Sequence, residues 1–414
     1  MSRNLPNWLD SYVELQQNTE PAKIFDTWVG YSVIAAALRR KTYLQLGRLT
    51  YYPNLYIVLV ANPGVARKTQ AIKFGTAFLE TIPEIQCCAD SATKEAMTDD
   101  IQNSALDELL EDGTTLRHSS LNIISKEFES FLGQKKENTR MLTALTDLFD
   151  CPSEWSSRTR HTTSNAIIRP WINLLAATTP DSLASSLPAS AIGGGLTSRI
   201  LFVWAEKKKK SVAIPIMTPA EEKLKGLLEQ DLYQISRISG EYQMSEPCKL
   251  KWIDWYNAYD EDEGGDRICT DNSFSGWYSR KPTYIIKLSL IRAASTSQSL
   301  TINWEHIDSA IAAINQVEHV MGNAFKAIGK SEITSEVDTV FQLVKSYKVI
   351  SEKQLMSIIW RDIDSTKFAN VIETVIKTGK VFRKYKGPKG QPGVWYYWTA
   401  SASAKLIKEN ENQI

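Results

Sequence analysis

Residues 55–69 carry the apolar, β-prone segment Leu55-Tyr-Ile-Val-Leu-Val60 into a glycine-containing turn that ends in Lys68 and Thr69. The chemistry this order suits is polyphosphate binding. Backbone N–H groups at the end of a strand curl around phosphate oxygens, a lysine ammonium reaches the terminal phosphates, and the hydroxyl next to it ligates Mg²⁺. Counting back from Lys68, Asn62 stands where the pattern G-x-x-x-x-G-K-[ST] has its first glycine and Arg67 where it has its second, with Gly64 inside the loop. Asn62 tolerates positive φ, whereas Arg67 is expected either to sit in an ordinary conformation or to distort the turn. The expected cofactors are therefore ATP and Mg²⁺, held by Asn62, Gly64, Arg67, Lys68 and Thr69, with Thr69 on the metal. The same pattern also suits an ordinary strand-to-helix turn, so the remaining candidates carry weight.

A hydrolytic site needs a second apolar strand ending in an acid that polarises water. Leu121-Asn-Ile-Ile-Ser-Lys-Glu127 has that form, with Glu127 as the water-polarising acid. Lys126 stands where an Asp would order the Mg²⁺ shell, which leaves the ion to Thr69 and phosphate or makes hydrolysis slow. A charge at a helix start is the other use of Glu127. A third strand, Trp171 to Pro180, ends in Thr178 and Thr179, placed for a sensor of the terminal phosphate or for a helix cap. Gly193-Gly-Gly-Leu-Thr-Ser-Arg199 delivers Arg199 to the start of a fifth strand, where an arginine serves either as a finger into a neighbouring subunit's nucleotide or as a surface residue. Arg280 and Lys281 open a later helix and supply either a second sensor or a solvated helix start.

These residues need a scaffold that alternates strand and helix. Apolar β-rich segments near 55–61, 84–89, 120–125, 172–178 and 199–204 alternate with helical stretches near 69–81, 93–110, 127–133 and 137–149, which predicts an α/β, mostly parallel sheet wrapped by helices. Residues 1–54 read as an N-terminal helical collar with a hairpin, 55–212 as the ATPase core and 213–330 as an all-α lid. That lid opens at Thr218 and Pro219, which suit an N-cap and first helical position. Residues 331–398 read as three helices plus a two-stranded wing, a winged helix-turn-helix, and 399–414 as a tail. The 48 basic and 47 acidic residues leave a net charge of +1, so nucleic-acid contact has to be local. No apolar run approaches the ~20 residues that cross a bilayer, and the start has no signal-peptide core, so no membrane partner and a cytoplasmic location are expected. Five cysteines without C-x-x-C spacing predict free, mostly buried thiols and no structural zinc.

Two segments are placed for DNA. Trp155 to Asn165 is polar and β-prone, and as a hairpin it would present Arg158, Arg160 and His161 to the phosphates of one strand; an ordinary basic surface loop is the alternative. Between Glu373 and Glu409 no acidic residue occurs, while Lys377, Lys380, Arg383, Lys384, Lys386 and Lys389 all fall there. A basic wing suits phosphate contact with little sequence preference, and a winged domain also serves protein contacts.

Taken together, Trp28 to Lys41, Tyr52 to Val60, Gly64-x-x-Arg-Lys-Thr69, Leu174 to Pro180 and Gly193 to Arg199 resemble a family of P-loop proteins of bacteriophages and mobile elements described as DNA helicases or primase-helicases. The likeness covers roughly residues 6–330. The layout is also similar to AAA+ helicases of the pre-sensor-hairpin group, which includes the MCM and viral superfamily-three helicases. The resemblance implies a P-loop AAA+-like fold and a homo-oligomeric ring hexamer around single-stranded or forked DNA. Lys68 and Thr69 would then act on phosphate and Mg²⁺, Glu127 on water, Thr178 or Thr179 as first sensor and Arg199 in trans, with a primase or polymerase as further partner. The expected function is an ATP-dependent DNA translocase, a ring-forming replicative helicase. The alternative is a replication initiator or helicase loader that binds ATP and DNA with slow or no hydrolysis, and a scaffold without catalysis is a third reading.

Overall fold

The computed structural model describes residues 3–88, 93–110, 113–132, 135–156, 166–187, 195–259, 274–324, 332–360 and 365–399. The chain forms two compact units, residues 1–328 and 329–414.

The first unit opens with α1 (Trp8–Leu15) and α2 (Lys23–Leu38), followed by the hairpin β1 (Thr42–Leu46) and β2 (Leu49–Tyr51). Then come β3 (Tyr56–Val60), α3 (Lys68–Leu79), β4 (Gln86–Cys88), α4 (Lys94–Asn103), β5 (Ala105–Leu109) and β6 (Thr115–Ser125). Next are α5 (Phe128–Leu132), α6 (Lys135–Phe149), β7 (Glu154–Trp155), β8 (Ile167–Ile168), β9 (Pro170–Thr178), α7 (Pro180–Ser186) and β10 (Leu201–Trp204). The unit ends with α8 (Pro219–Arg237), β11 (Gly240–Met244), α9 (Glu246–Ala258), α10 (Ser275–Tyr278), α11 (Lys281–Thr296), β12 (Thr301–Ile302) and α12 (Trp304–Ala324).

The central sheet runs β10-β3-β9-β6-β4, all parallel, with β5 added antiparallel to β6. Its inner strands are apolar runs because helices cover both faces; every residue of β3 and β9 is buried. Helix α2 is apolar almost all round and packs against α1, α3, α8, α11 and β9, the behaviour of a helix surrounded by its own protein. At the start of α8 the Thr218 hydroxyl accepts from the Glu221 N–H while the Glu221 carboxylate accepts from the Thr218 N–H, a reciprocal cap with Pro219 in the first turn.

Three expectations need correction. Residues 93–110 are not one helix: α4 ends at Asn103 and β5 follows, forming a hairpin with β6. The segment after 213 is not all-α, since β11 and β12 join β1 and β2 in a second sheet of order β12-β11-β1-β2. The parallel pair Thr42↔Gly240 spans almost two hundred residues, a partnership that no local pattern encodes. Among the described residues Cys87, Cys88, Cys151 and Cys248 are free thiols, and only Cys151 and Cys248 are buried. The basic end of α2 lies in the interior. Arg39, Arg40 and Lys41 are buried, with Glu108 accepting from Arg39 at 3.1 Å and from Lys41 at 2.8 Å and Arg40 donating to the Pro170 carbonyl. Buried cations persist where such partners reach them.

The second unit holds α13 (Glu332–Tyr347), β13 (Val349–Ser351), α14 (Glu352–Ile359), α15 (Ser365–Lys377), β14 (Val381–Lys386) and β15 (Pro392–Trp398). Its sheet, β13-β15-β14, is antiparallel and three-stranded, where the sequence predicts two strands; β13 is too short to show a period. The three helices and this sheet enclose a separate core of Val340, Val344, Leu355, Val371, Val375 and Tyr396. Among the described residues no helix is long and apolar enough to cross a membrane.

Candidate nucleotide site

The turn between β3 and α3 brings Asn62, Gly64, Arg67, Lys68 and Thr69 together. Asn62 and Gly64 are exposed at its rim and Ala66 is buried beneath it. Left-handed backbone is taken by Gly64 (φ 70°) and by Arg67 (φ 58°), and not by Asn62. This corrects the expectation for Arg67. It adopts the conformation a glycine would take there, at φ 58° and ψ 40°, and it is the N-cap residue of α3. A bulky residue in this region is strained by about 1 kcal/mol or more, and persists where its surroundings hold it. The hold is visible: Arg67 Nε donates to Glu20 at 2.7 Å.

Lys68 opens α3 and folds back over the turn, its ammonium donating to the Ala61 carbonyl at 2.6 Å. Partial burial lowers its pKa to about 8. Thr69 follows in the first turn with an exposed side chain, beside the N-terminal N–H groups that attract anions.

The parallel register fixes what lies beside this turn. Val60 pairs with Thr178 and Ala176 with Ser125. Glu127 follows two residues beyond Ser125, the last residue of β6, and so lies at the same end of the sheet as Thr178. Strand β9 lies between β3 and β6, so Thr178, at the end of β9, stands between the β3–α3 turn and the end of β6 that leads to Glu127. Glu127 is exposed and accepts from the Ser130 hydroxyl at 3.2 Å. Thr179 caps α7, accepting from the Ser182 N–H at 3.1 Å. Thr178 lies at the strand end, with its hydroxyl 3.4 Å from the Thr179 carbonyl, so of the two sensor candidates it is the one not used as a cap.

Arg199 and Arg280 come together elsewhere. Arg199 precedes β10, whose Trp204 is level with Val60; five residues of strand, about 16 Å, separate it from the phosphate turn of its own chain. It donates to Asp150 at 3.2 Å and to the Gly195 carbonyl at 2.7 Å. Arg280 Nε donates to the Ser198 hydroxyl at 3.2 Å, and burial, followed by the nearby Arg199 charge, lowers its pKa. The two arginines thus form one cationic group at the sheet edge opposite Lys68.

Arg158, Arg160 and His161 lie outside the described residues; the flanking β7 and β8 pair antiparallel, Trp155 with Ile167. In the second unit Lys377, Lys380, Lys384, Lys386 and Lys389 are exposed, and Arg383 is paired with Glu373 at 3.2 Å.

Residues that sequence reasoning missed surround the turn. Glu20 accepts from Arg67, from Lys208 and from the Val212 N–H, and Lys209 donates to buried Asp26 at 2.7 Å. Lys208, Lys209 and Lys210 are stitched to residues 16–26. These contacts join positions nearly 190 residues apart, so no local signal marks them. An apolar cleft of about 210 Å³ on the flank of α3 is lined by Leu15, Phe74, Phe78, Ile216 and Met217. It begins about 9 Å along the helix from Lys68, away from the phosphate chemistry.

A scan against models of protein families finds no match to this chain, and a search of curated proteins finds none either.

Proposed function

We propose that the protein is an ATP-driven DNA translocase, a ring-forming replicative helicase of the phage and mobile-element kind, with a P-loop AAA+-like core. The observation that carries this reading is the register: Lys68, Thr178 and Glu127 share the carboxyl edge of a parallel sheet, with the sensor strand between the phosphate turn and the water-polarising acid. Ligands of open α/β sheets bind at that edge. In this reading Lys68 and the turn's N–H groups grip the triphosphate, Thr178 contacts the terminal phosphate and Glu127 orients the attacking water. The exposed Thr69 hydroxyl suits Mg²⁺ carried in on the triphosphate, since this ion keeps most of its water and takes few protein ligands; bound there, it would neutralise charge developing on the phosphates.

Arg199 precedes β10, at the end of that strand away from its own chain's turn, with Arg280 bonded to Ser198 beside it, so in this reading they serve the nucleotide of a second copy. That supports a ring in which both act in trans. Residues 8–51 then form the collar, α8 to α12 the lid, and residues 331–398 a winged helix whose exposed lysines on β14 and at its tip follow DNA phosphates. Arg158, Arg160 and His161 are proposed as the translocating grip, with single-stranded or forked DNA as partner and a primase or polymerase beside it.

One observation favours a second reading. Lys126 stands directly before Glu127 where a Mg²⁺-ordering acid is expected, which suits an initiator or loader that binds ATP and hydrolyses it slowly. Steady-state ATP hydrolysis with and without single-stranded DNA separates the two. A translocase shows turnover that rises severalfold with DNA and is lost in Lys68→Ala and Glu127→Gln. Turnover that is absent, or indifferent to DNA, sinks the helicase reading and leaves the loader.

A further inference from the structure

Three segments meet under the phosphate turn: residues 16–26, the turn itself, and residues 206–212, which lead into α8. Their backbones are joined directly, Ala22 N–H to the Ala66 carbonyl at 3.3 Å, Lys208 N–H to the Val65 carbonyl at 3.1 Å and Lys209 N–H to the Glu20 carbonyl at 3.2 Å. The Glu20 side chain is the hub. One carboxylate oxygen takes Lys208 and the Val212 N–H, and the other takes Arg67 Nε. Its pKa falls to about 2, mainly through the Lys208 hydrogen bond, then the Val212 N–H and Arg67, so it is an anion throughout the physiological range.

The contact with Arg67 is through Nε alone, and the Arg67 side chain is 38% exposed. A guanidinium gripped at Nε keeps its two terminal nitrogens for another planar or tetrahedral oxyanion. The residue stands one position before Lys68, in left-handed backbone that a glycine would adopt without strain.

We propose that Glu20 is a positioning residue of the phosphate site: it holds Arg67 so that the terminal guanidinium nitrogens grip the polyphosphate beside Lys68. This deepens the nucleotide-site reading and rests on it. Glu20 also ties the turn to the strap at 206–212, so the residue that orients the phosphate grip anchors the segment leading into α8.

The test is calorimetric titration of the full chain with ATP and with inorganic tripolyphosphate, using Glu20→Gln, Arg67→Gly, their combination and Lys68→Ala. Arg67→Gly suits the observed φ, so the fold is retained, and thermal melting is followed for each variant. Glu20→Gln and Arg67→Gly are each expected to weaken tripolyphosphate roughly tenfold, the scale of a charge-assisted hydrogen bond. Glu20→Gln is expected to add nothing once Arg67 is glycine, because its effect acts through the guanidinium. Unchanged tripolyphosphate affinity in Glu20→Gln, with or without a lower melting temperature, overturns the proposal, as does a full further loss in the combined variant. A wild-type chain without tripolyphosphate affinity, or one indifferent to Lys68→Ala, refutes the phosphate-site reading itself and takes this inference down with it.

Discussion

Lys68 is the residue whose protonation state matters most to the proposed site. Its ammonium rests on the Ala61 carbonyl, and burial brings its pKa to about 8. Below that pH the free site already carries the charge that a phosphate requires. Above it, binding has to take up a proton, so affinity falls as pH rises. The dissociation constant for ATP is therefore expected to be flat from pH 6.5 to 7.5 and to climb above pH 8, by up to about tenfold per unit. Lys68→Arg, which stays charged, removes that slope even if it binds more weakly. Titrations at a series of pH values measure both; a wild-type constant flat to pH 9.5 would mean that the charged lysine is not the ligand.

Among the elements, α3 has the least freedom, because it carries Lys68 and Thr69 at one end and packs closely on α2. Gly75 is the point of closest approach. A Cβ there would lie 2.1 Å from Val29 Cγ1 and 3.3 Å from Val33 Cγ2, inside contact distance of two branched side chains in the core. Gly75→Ala is expected to destabilise the first unit by about 1–3 kcal/mol, the cost of overpacking a filled core. Val29→Ala in the same chain should recover part of it by making room. Urea unfolding of the wild type and the two variants checks this, and an unchanged midpoint in Gly75→Ala would show that the two helices separate freely. ATP affinity should fall with stability in Gly75→Ala, since any shift of α3 moves the phosphate turn.

On the scale of the whole molecule, the two units have separate cores. A chain of residues 1–328 is therefore expected to fold and, in the proposed reading, to hydrolyse ATP in the absence of DNA as the full chain does. Its DNA binding should become less salt-sensitive, because the exposed lysines at 377, 380, 384, 386 and 389 go with the second unit. Each lost phosphate contact lowers the slope of log K against log salt by nearly one. Removing three to five contacts thus predicts a slope smaller by about 2.7–4.5 on duplex DNA, measured by fluorescence anisotropy between low and physiological salt. An unaltered slope assigns the second unit to protein contacts.

The amino-acid order by itself determined the parallel sheet, the turn that ends in Lys68 and Thr69, and the ends of most helices. Those features are written in short-range terms: apolar runs for strands buried on both faces, a 3.6-residue period, caps such as Thr218 and Pro219. It also put Thr178 at the end of one strand and Glu127 just past another, and parallel pairing then set both at the same end of the sheet. What only the tertiary structure decided depends on residues far apart in the chain. Glu20 reaches Arg67 and Lys208, Asp150 draws Arg199 toward the edge opposite its own phosphate turn, and β11 pairs with β1. The left-handed backbone of Arg67 belongs to the same class. Local sterics alone disfavour it, and the turn that contains it is tied by backbone bonds from Ala22 to Ala66 and from Lys208 to Val65, contacts that exist only once the chain has closed on itself.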